Sequence, residues 1–359
     1  MIIFIDTNIF FNYWHLQNAN FIYLFNFLEN TGSELFISEV VCEEVENKFK
    51  TEIESLKKIF SDGIKKSNSV LLQAPELDLK LLDTEYSFRK TLSSKTNNVT
   101  FLSYEEISLQ TLVNRAIKKV KPFQHEDKGF RDTLIWLSLL EFLSKNKEKS
   151  KIAFINQNSS DFYNPEKTTL HDDLKNDLET YNLKNEFSVY ESIKDFIKLE
   201  VNLDQHKFNN SQMMEDYIYP NERLLEEAVE SFINSQSKNW FSDIIKQDGS
   251  YSDIVYLNGY KFHIFEGIED PEFVNWSEIN PGSFFAQGDF FLRLVDLEFT
   301  IPKAVYSSNK EHYDKYYYEI EIENDFATIK TFRKVFMNVS FYYDVEKNEF
   351  SNLAINKFK

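Results

Sequence analysis

The chain opens with Met1-Ile2-Ile3-Phe4-Ile5, a continuous apolar, β-prone run that stops abruptly at Asp6-Thr7-Asn8. A run without polar alternation, bounded by polar residues, predicts a strand buried on both faces. Such strands belong to parallel sheets covered by helices, and ligands of open parallel sheets bind just past the strands' carboxyl ends. Asp6 is therefore expected at the mouth of a sheet, with Thr7 and Asn8 beside it. Asn8 can also cap the helix that Ile9-Phe10-Phe11 would start. The plainer alternative makes Asp6 only a turn or cap residue.

The same pattern recurs along the first two hundred residues. Residues 9–30 show helix-like apolar spacing, and Thr31-Gly32-Ser33 breaks it. Glu34 to Ile37 is a second short strand. Ser38 then reads as an N-cap, and Val40 to Phe60 as a long charged helix carrying Glu43 and Glu44. Residues 61–100 are a polar excursion with a break at Leu92 to Asn98, either a lid or clamp at the site entrance or a solvated helix pair. Tyr104 to Val120 reads as helix and runs into Lys121-Pro122. Gly129 precedes a helix with Asp132 in its first turn and the apolar stretch Leu134 to Leu143 behind it. Lys145 to Lys151 is a basic turn. Ile152 to Ile155 is a third buried-type strand, stopping at Asn156 and followed by Asp161. His171 to Tyr181 is helical, with His171 as a cap or surface residue. Phe187 to Tyr190 is a fourth strand, and Ser192 to Leu199 its helix. Strands alternating with helices predict an α/β fold, a doubly wound parallel sheet with helices on both faces, over residues 1–201.

Residues 202–220 are polar, contain Asn209-Asn210-Ser211 and Pro220, and read as a linker. Residues 221–359 then form a smaller α+β domain. Asn221 to Phe241 is expected as one amphipathic helix. From about Tyr251 the period becomes two. A hairpin is expected across Asn258-Gly259, between Ile254 to Leu257 and Tyr260 to Phe265. Asp289 to Ile301, Tyr313 to Glu323, Ala327 to Val345 and Glu349 to Asn356 read as long strands of a mostly antiparallel sheet.

A length of 359 residues fits two domains, and 35 Phe with 19 Tyr supply apolar bulk for two cores. No apolar run reaches 18 residues, so no membrane span is expected. The start lacks a basic segment and runs into an acid, which is unlike a signal peptide. The single cysteine, Cys42, leaves no internal disulfide and no cysteine-based zinc site, and a cytoplasmic protein is expected. The net charge of −18 is unevenly spread: residues 209–359 hold 14 Lys/Arg and 26 Asp/Glu, a net −12. Any nucleic-acid contact is therefore expected on the first domain, in local patches.

Four acids fall at element ends in that domain. Asp6 and Asp161 follow strands, Glu44 lies early in the helix after the second strand, and Asp132 opens a helix. Gathered on one rim, four carboxylates repel one another unless cations bind. Oxygen ligands without Cys or an essential His select Mg²⁺ or Mn²⁺, which clamp a phosphate and activate water. Lys128 and Arg131 flank Asp132 closely enough to touch a phosphate, and Lys118, Lys119, Lys121, Lys145, Lys147 and Lys149 can extend a basic rim. The alternatives are ordinary: Glu43 and Glu44 on a solvated helix face, Asp132 as a charge favoured by a helix dipole, Asp161 in a turn.

The segments Phe4 to Asn8 (FIDTN), Ile37 to Glu46, Gly129 to Trp136 (GFRDTLIW) and Phe154 to Phe162 (FINQNSSDF) resemble, in order and wording, the PIN-domain nucleases, the last two most of all the larger bacterial members with an extra C-terminal region. The resemblance covers about residues 1–200. It implies that Asp6, Glu44, Asp132 and Asp161 are the metal-holding catalytic acids, with Glu43 as fallback for Glu44, and that Asn158 and Asn8 support them, Asn8 by orienting the Asp6 carboxylate. It implies cleavage, most of all of single-stranded RNA, by metal-bound water, leaving 5′-phosphate and 3′-hydroxyl ends. A toxin or anti-phage role fits the resemblance. Branched or flap DNA is the competing substrate, and a non-catalytic binding module the competing class. The second domain would mask the nuclease, sense a ligand, or serve a homo-oligomer or regulatory protein partner. Haloacid-dehalogenase phosphatases need a second Asp where Asn8 stands. Receiver domains need an acidic pair and a late Lys that this chain lacks. No phosphate-loop or dinucleotide glycine motif is present.

Overall fold

The computed structural model describes residues 1–70, 82–123, 128–146, 151–200, 210–246, 254, 256–280 and 282–359. The chain divides into two compact units. One comprises Met1–Leu16 and Leu24–Ile197, the other Gln17–Tyr23 and Lys198–Lys359.

The first unit is built on five parallel strands, β1 (Ile2–Ile5), β2 (Glu34–Ser38), β3 (Val99–Leu102), β4 (Ile152–Ile155) and β5 (Phe187–Tyr190), in the order β3-β2-β1-β4-β5. The chain winds from β1 outward to β3, then returns to β4 on the other side of β1. The winding direction reverses between β1 and β4, so the crevice of this doubly wound sheet opens at their carboxyl ends. Their register is flush, Ile2 beside Ile152 and Ile5 beside Ile155. Asp6 and Asn156 therefore leave the sheet side by side. All four residues of β1 and of β4 are buried, as unbroken apolar runs require.

Helices α1 (Ala19–Thr31), α2 (Glu39–Val70), α3 (Phe88–Ser93), α4 (Leu109–Lys118), α5 (Phe130–Asn146), α6 (Ser159–Phe162), α7 (Asp172–Thr180) and α8 (Ile193–Glu200) make the connections. Helix α5 is apolar nearly all round, and Thr133 to Leu140 are all buried. Its Trp136 lies against Phe154 of β4 and Phe187 of β5, and its Phe142 meets Phe36 of β2 edge to face at 4.8 Å. Burying each such side chain is worth about 1.5–3 kcal/mol. α5 is thus fixed along its length, and so is the position of its first turn at the sheet rim.

The second unit carries β6 (Gly259–Asn280), β7 (Ser283–Pro302), β8 (Glu319–Glu323), β9 (Phe326–Asp344) and β10 (Glu349–Phe358). They form one antiparallel sheet in the order β10-β9-β7-β6, with β8 beside the start of β9. Around it lie α9 (Asn210–Met213), α10 (Glu222–Ser235), α11 (Lys238–Lys246), α12 (Lys303–Ser308) and α13 (Lys310–Tyr316). Helix α10 buries Leu225, Val229 and Ile233. One residue on, its Glu226, Glu230 and Asn234 accept the outward backbone N–H groups of Ile268, Ile264 and Phe262 at 3.0, 2.7 and 3.1 Å. A Cβ at Gly267 would meet only the end of the flexible Glu226 side chain, which would have to move aside.

Several elements differ from the sequence expectations. The helix expected over 9–30 begins only at Ala19. Asn12 and Leu16 adopt left-handed backbone (φ 67° and 52°), and Asn18 caps the helix by accepting from the Phe21 N–H at 3.1 Å. Strand β3, at the sheet edge, was not expected at all. The helix after β2 runs to Val70, ten residues beyond its expected end. Residues 210–220, read as part of a linker, are helical and bury Met213, Met214 and Ile218 in the second core. The rest of that stretch lies outside the described residues. The helix expected over 221–241 is two, because Gln236 is extended and Ser237 caps the next by accepting from the Trp240 N–H at 3.2 Å. Asn258-Gly259 does not turn a hairpin. Gly259 starts β6, the Asn258 N–H donates to Thr300 O at 2.8 Å, and β6 returns as β7 past Gly282 (φ 75°). Tyr313 to Tyr316, expected as strand, end α13. Among the described residues no helix is long and apolar enough to cross a membrane.

Candidate functional site

Asp6 is the first residue past β1. Its backbone N–H continues the ladder to Ile155 O at 3.1 Å, which fixes its Cα at the switch point. The residue is 2% exposed, and its Oδ1 has no hydrogen-bond partner among the described residues. Burial pushes the Asp6 carboxyl up to about 8. The nearby Asp132 adds the next largest push, the Thr7 backbone N–H opposes it, and Glu44 and Asp161 add further repulsion. Asp132, in the first turn of α5, is raised to about 6 by burial, then by Asp161 and Glu44, against the Arg131 guanidinium. The fold therefore brings Asp6, Glu44, Asp132 and Asp161 within electrostatic reach of one another.

Each of the outer two acids is held by its own partners. Glu44, one turn into α2, accepts the Thr7 hydroxyl at 2.5 Å on Oε2 and pairs with Arg131 through Oε1. Asp161 accepts the Asn158 amide at 2.5 Å and pairs with the Lys121 ammonium at 3.1 Å. Glu43 stands apart, exposed, accepting the Tyr104 hydroxyl at 2.9 Å.

The entry of α5 depends on Gly129. Its φ is +88°, and a Cβ would run into the backbone oxygen of Pro122. The Gly129 carbonyl accepts both the backbone N–H and the hydroxyl of Thr133, at 2.9 and 2.8 Å. Arg131 and Asp132 are carried between these two fixed points.

The structure corrects the role expected of Asn8. Its amide donates to Asn156 Oδ1 at 3.0 Å and its oxygen accepts the Gln157 N–H at 3.2 Å, so it braces the β1 and β4 exits and does not orient Asp6. Arg131, expected as a phosphate contact, is paired with Glu44, though its side chain is 71% exposed. Lys128 is exposed at the turn before Gly129. Of the basic rim, Lys145 pairs with Glu106, and Lys147 and Lys149 lie outside the described residues. His171 is the N-cap of α7, its Nδ1 accepting from the Asp173 N–H at 3.1 Å.

Thr7 and Asn156 carried no expected role at the site, and Lys121 a different one. Thr7 anchors Glu44. Asn156 is fully buried, and its Oδ1 collects both the Asn8 amide and the Asn158 N–H. Its place directly after β4, matching Asp6 after β1, was the available signal. Lys121, expected only as part of a basic rim, holds Asp161.

Among the described residues no group of three or more Asp, Glu, His and Cys is placed to hold a metal ion as it stands, and protein donors hold Glu44 and Asp161. The donor set nevertheless fits a hard divalent cation: carboxylate oxygens, one of them buried with no partner among the described residues, in a field that disfavours their charge. Residues 3–162 match the family model described as PIN domain. No curated protein and no solved structure matches the chain.

Proposed function

Residues 3–162 are a PIN domain, and from that premise we propose that the protein is a Mg²⁺- or Mn²⁺-dependent endonuclease acting on single-stranded RNA. The observation that carries this reading is Asp6 Oδ1, buried with no partner among the described residues and within repulsive reach of three further acids. The ion would be held by Asp6 and Asp132, with Glu44 and Asp161 completing the acidic ring. Once bound, it supplies Lewis-acid polarisation of the scissile phosphate and a nucleophilic water at neutral pH.

The chain's own residues prepare that chemistry. Thr7 and Arg131 hold Glu44 toward the crevice, and Asn158 orients Asp161. Arg131, mostly exposed, can exchange its Glu44 partner for a phosphate oxygen, with Lys128 beside it. Such contacts position a strand without reading its sequence. The net −12 of residues 209–359 repels polyanions, which favours RNA contact on the first unit; a regulatory or partner-binding role is our reading of the second.

The test is cleavage of labelled single-stranded RNA, single-stranded DNA and flap DNA with Mn²⁺, by wild type and Asp6→Asn. RNA cleavage by wild type alone is expected. Cleavage of flap DNA in preference to RNA would move the substrate to DNA, and equal cleavage by both proteins would end the nuclease reading. A toxin or anti-phage effector role predicts growth arrest on induction of wild type and none with Asp6→Asn.

A further inference from the structure

Building on the metal-centre reading above, we propose that Lys121 is the site's resident monovalent cation, so that the acid cluster takes one divalent ion, at Asp6 and Asp132, and not a pair.

Asp161 has both carboxylate oxygens engaged by protein donors. Oδ2 accepts the Asn158 amide at 2.5 Å and Oδ1 the Lys121 ammonium at 3.1 Å. The same ammonium donates to the backbone carbonyl of Ser160 at 3.0 Å. A carboxylate oxygen beside a carbonyl oxygen is the kind of hard pair that a second divalent ion would seek, and here an ammonium already fills it.

The fold fixes Lys121 from behind. Its backbone N–H donates to Asp173 Oδ2 at 2.9 Å, and its carbonyl accepts the Arg115 guanidinium. Arg115 is buried and paired with Asp177 at 2.7 Å, and Asp177 also accepts the Trp136 indole N–H at 2.8 Å. Helices α4, α5 and α7 thus all contribute to placing one lysine backbone. An ordinary surface lysine forfeits rotamer freedom when it pairs. Here the backbone is set in advance, and the side chain is only 26% exposed.

Charge counting agrees. Of the four acids, Glu44 is matched by Arg131 and Asp161 by Lys121. Among the described residues no ion pair reaches Asp6 or Asp132, although Arg131 also draws the Asp132 carboxyl down, and one divalent ion would balance the charge left there. A second ion would have to expel Lys121 from Asp161.

The test counts Mn²⁺ per chain by calorimetry and by electron paramagnetic resonance, on the full-length wild type, Lys121→Arg, Lys121→Met and the Lys121→Met/Asp161→Asn double variant. Circular dichroism checks folding. One ion is expected in wild type and Lys121→Arg, two in Lys121→Met, and one again in the double variant. Two ions in wild type overturn the proposal and leave the nuclease reading intact, whether or not Lys121→Met folds. A folded Lys121→Met that still binds one ion also overturns it. No ion in wild type overturns the metal-centre reading itself and this proposal with it.

Discussion

The Thr7 hydroxyl donates to Glu44 Oε2 at 2.5 Å, tying the exit of the first strand to a helix that starts more than thirty residues later. Hydrogen bonds to charged groups contribute about 1.5–3 kcal/mol. Thr7→Val keeps the shape and removes the donor, leaving Glu44 to Arg131 alone. Cleavage is expected to fall by about tenfold or more, in line with the energy of that bond. Glu44→Gln should fall further, and Glu43→Gln should match wild type, since Glu43 faces away toward Tyr104. Initial-rate assays on one RNA substrate, with all three variants, check the ordering.

Acid titration gives a second outcome. The Asp6 and Asp132 carboxyls are raised in the folded protein, to about 8 and about 6. A raised carboxyl favours the folded state fully below its unfolded value, near 4, and that advantage is lost as pH rises through the folded value. The metal-free protein should therefore lose stability between about pH 4 and pH 8, by several kcal/mol at most. Asp6→Asn should flatten most of that slope, equalling wild type near pH 4 and melting higher at pH 8. Thermal unfolding across that range in EDTA checks it. Mn²⁺ binding should release protons at pH 6 and tighten as pH rises toward 8, which calorimetry in buffers of different ionisation enthalpy reads directly.

Gly129→Ala should harm both fold and site. The positive φ alone costs about 1 kcal/mol for a side chain, and its Cβ meets a backbone oxygen that cannot swing away. A loss of about 2–4 kcal/mol in denaturant unfolding is expected, with reduced cleavage because Asp132 is delivered from the displaced turn.

What the sequence revealed follows the range over which each signal acts. Asp6 was legible because four buried residues in a row end on it, and Asp132 because a glycine and an apolar helix frame it. Strand β3 was not, since Val99 to Phe101 are only half-buried and polar neighbours dilute the apolar run. Asn258-Gly259 misled because a local turn preference was overruled by pairing along the whole of β6 and β7. The Asn8–Asn156 and Lys121–Asp161 contacts join residues 148 and 40 apart in sequence, and no spacing rule reaches that far.

Helix α10 offers a test away from the acids. Glu230→Ala removes the acceptor of the Ile264 N–H, and Asn234→Ala the acceptor of the Phe262 N–H. Each loss is expected to cost about 1–3 kcal/mol. The Ile264 and Phe262 amides should then exchange with deuterium faster, while amides of β9 exchange as before.

The same three side chains bear on solubility. β6 is 22 residues long and lies last in its sheet, and a strand of that length with a bare flank is a template on which another chain can add. From a helix of the same unit, Glu226, Glu230 and Asn234 occupy the Phe262 to Ile268 stretch of that flank and so deny an incoming strand three of its donors.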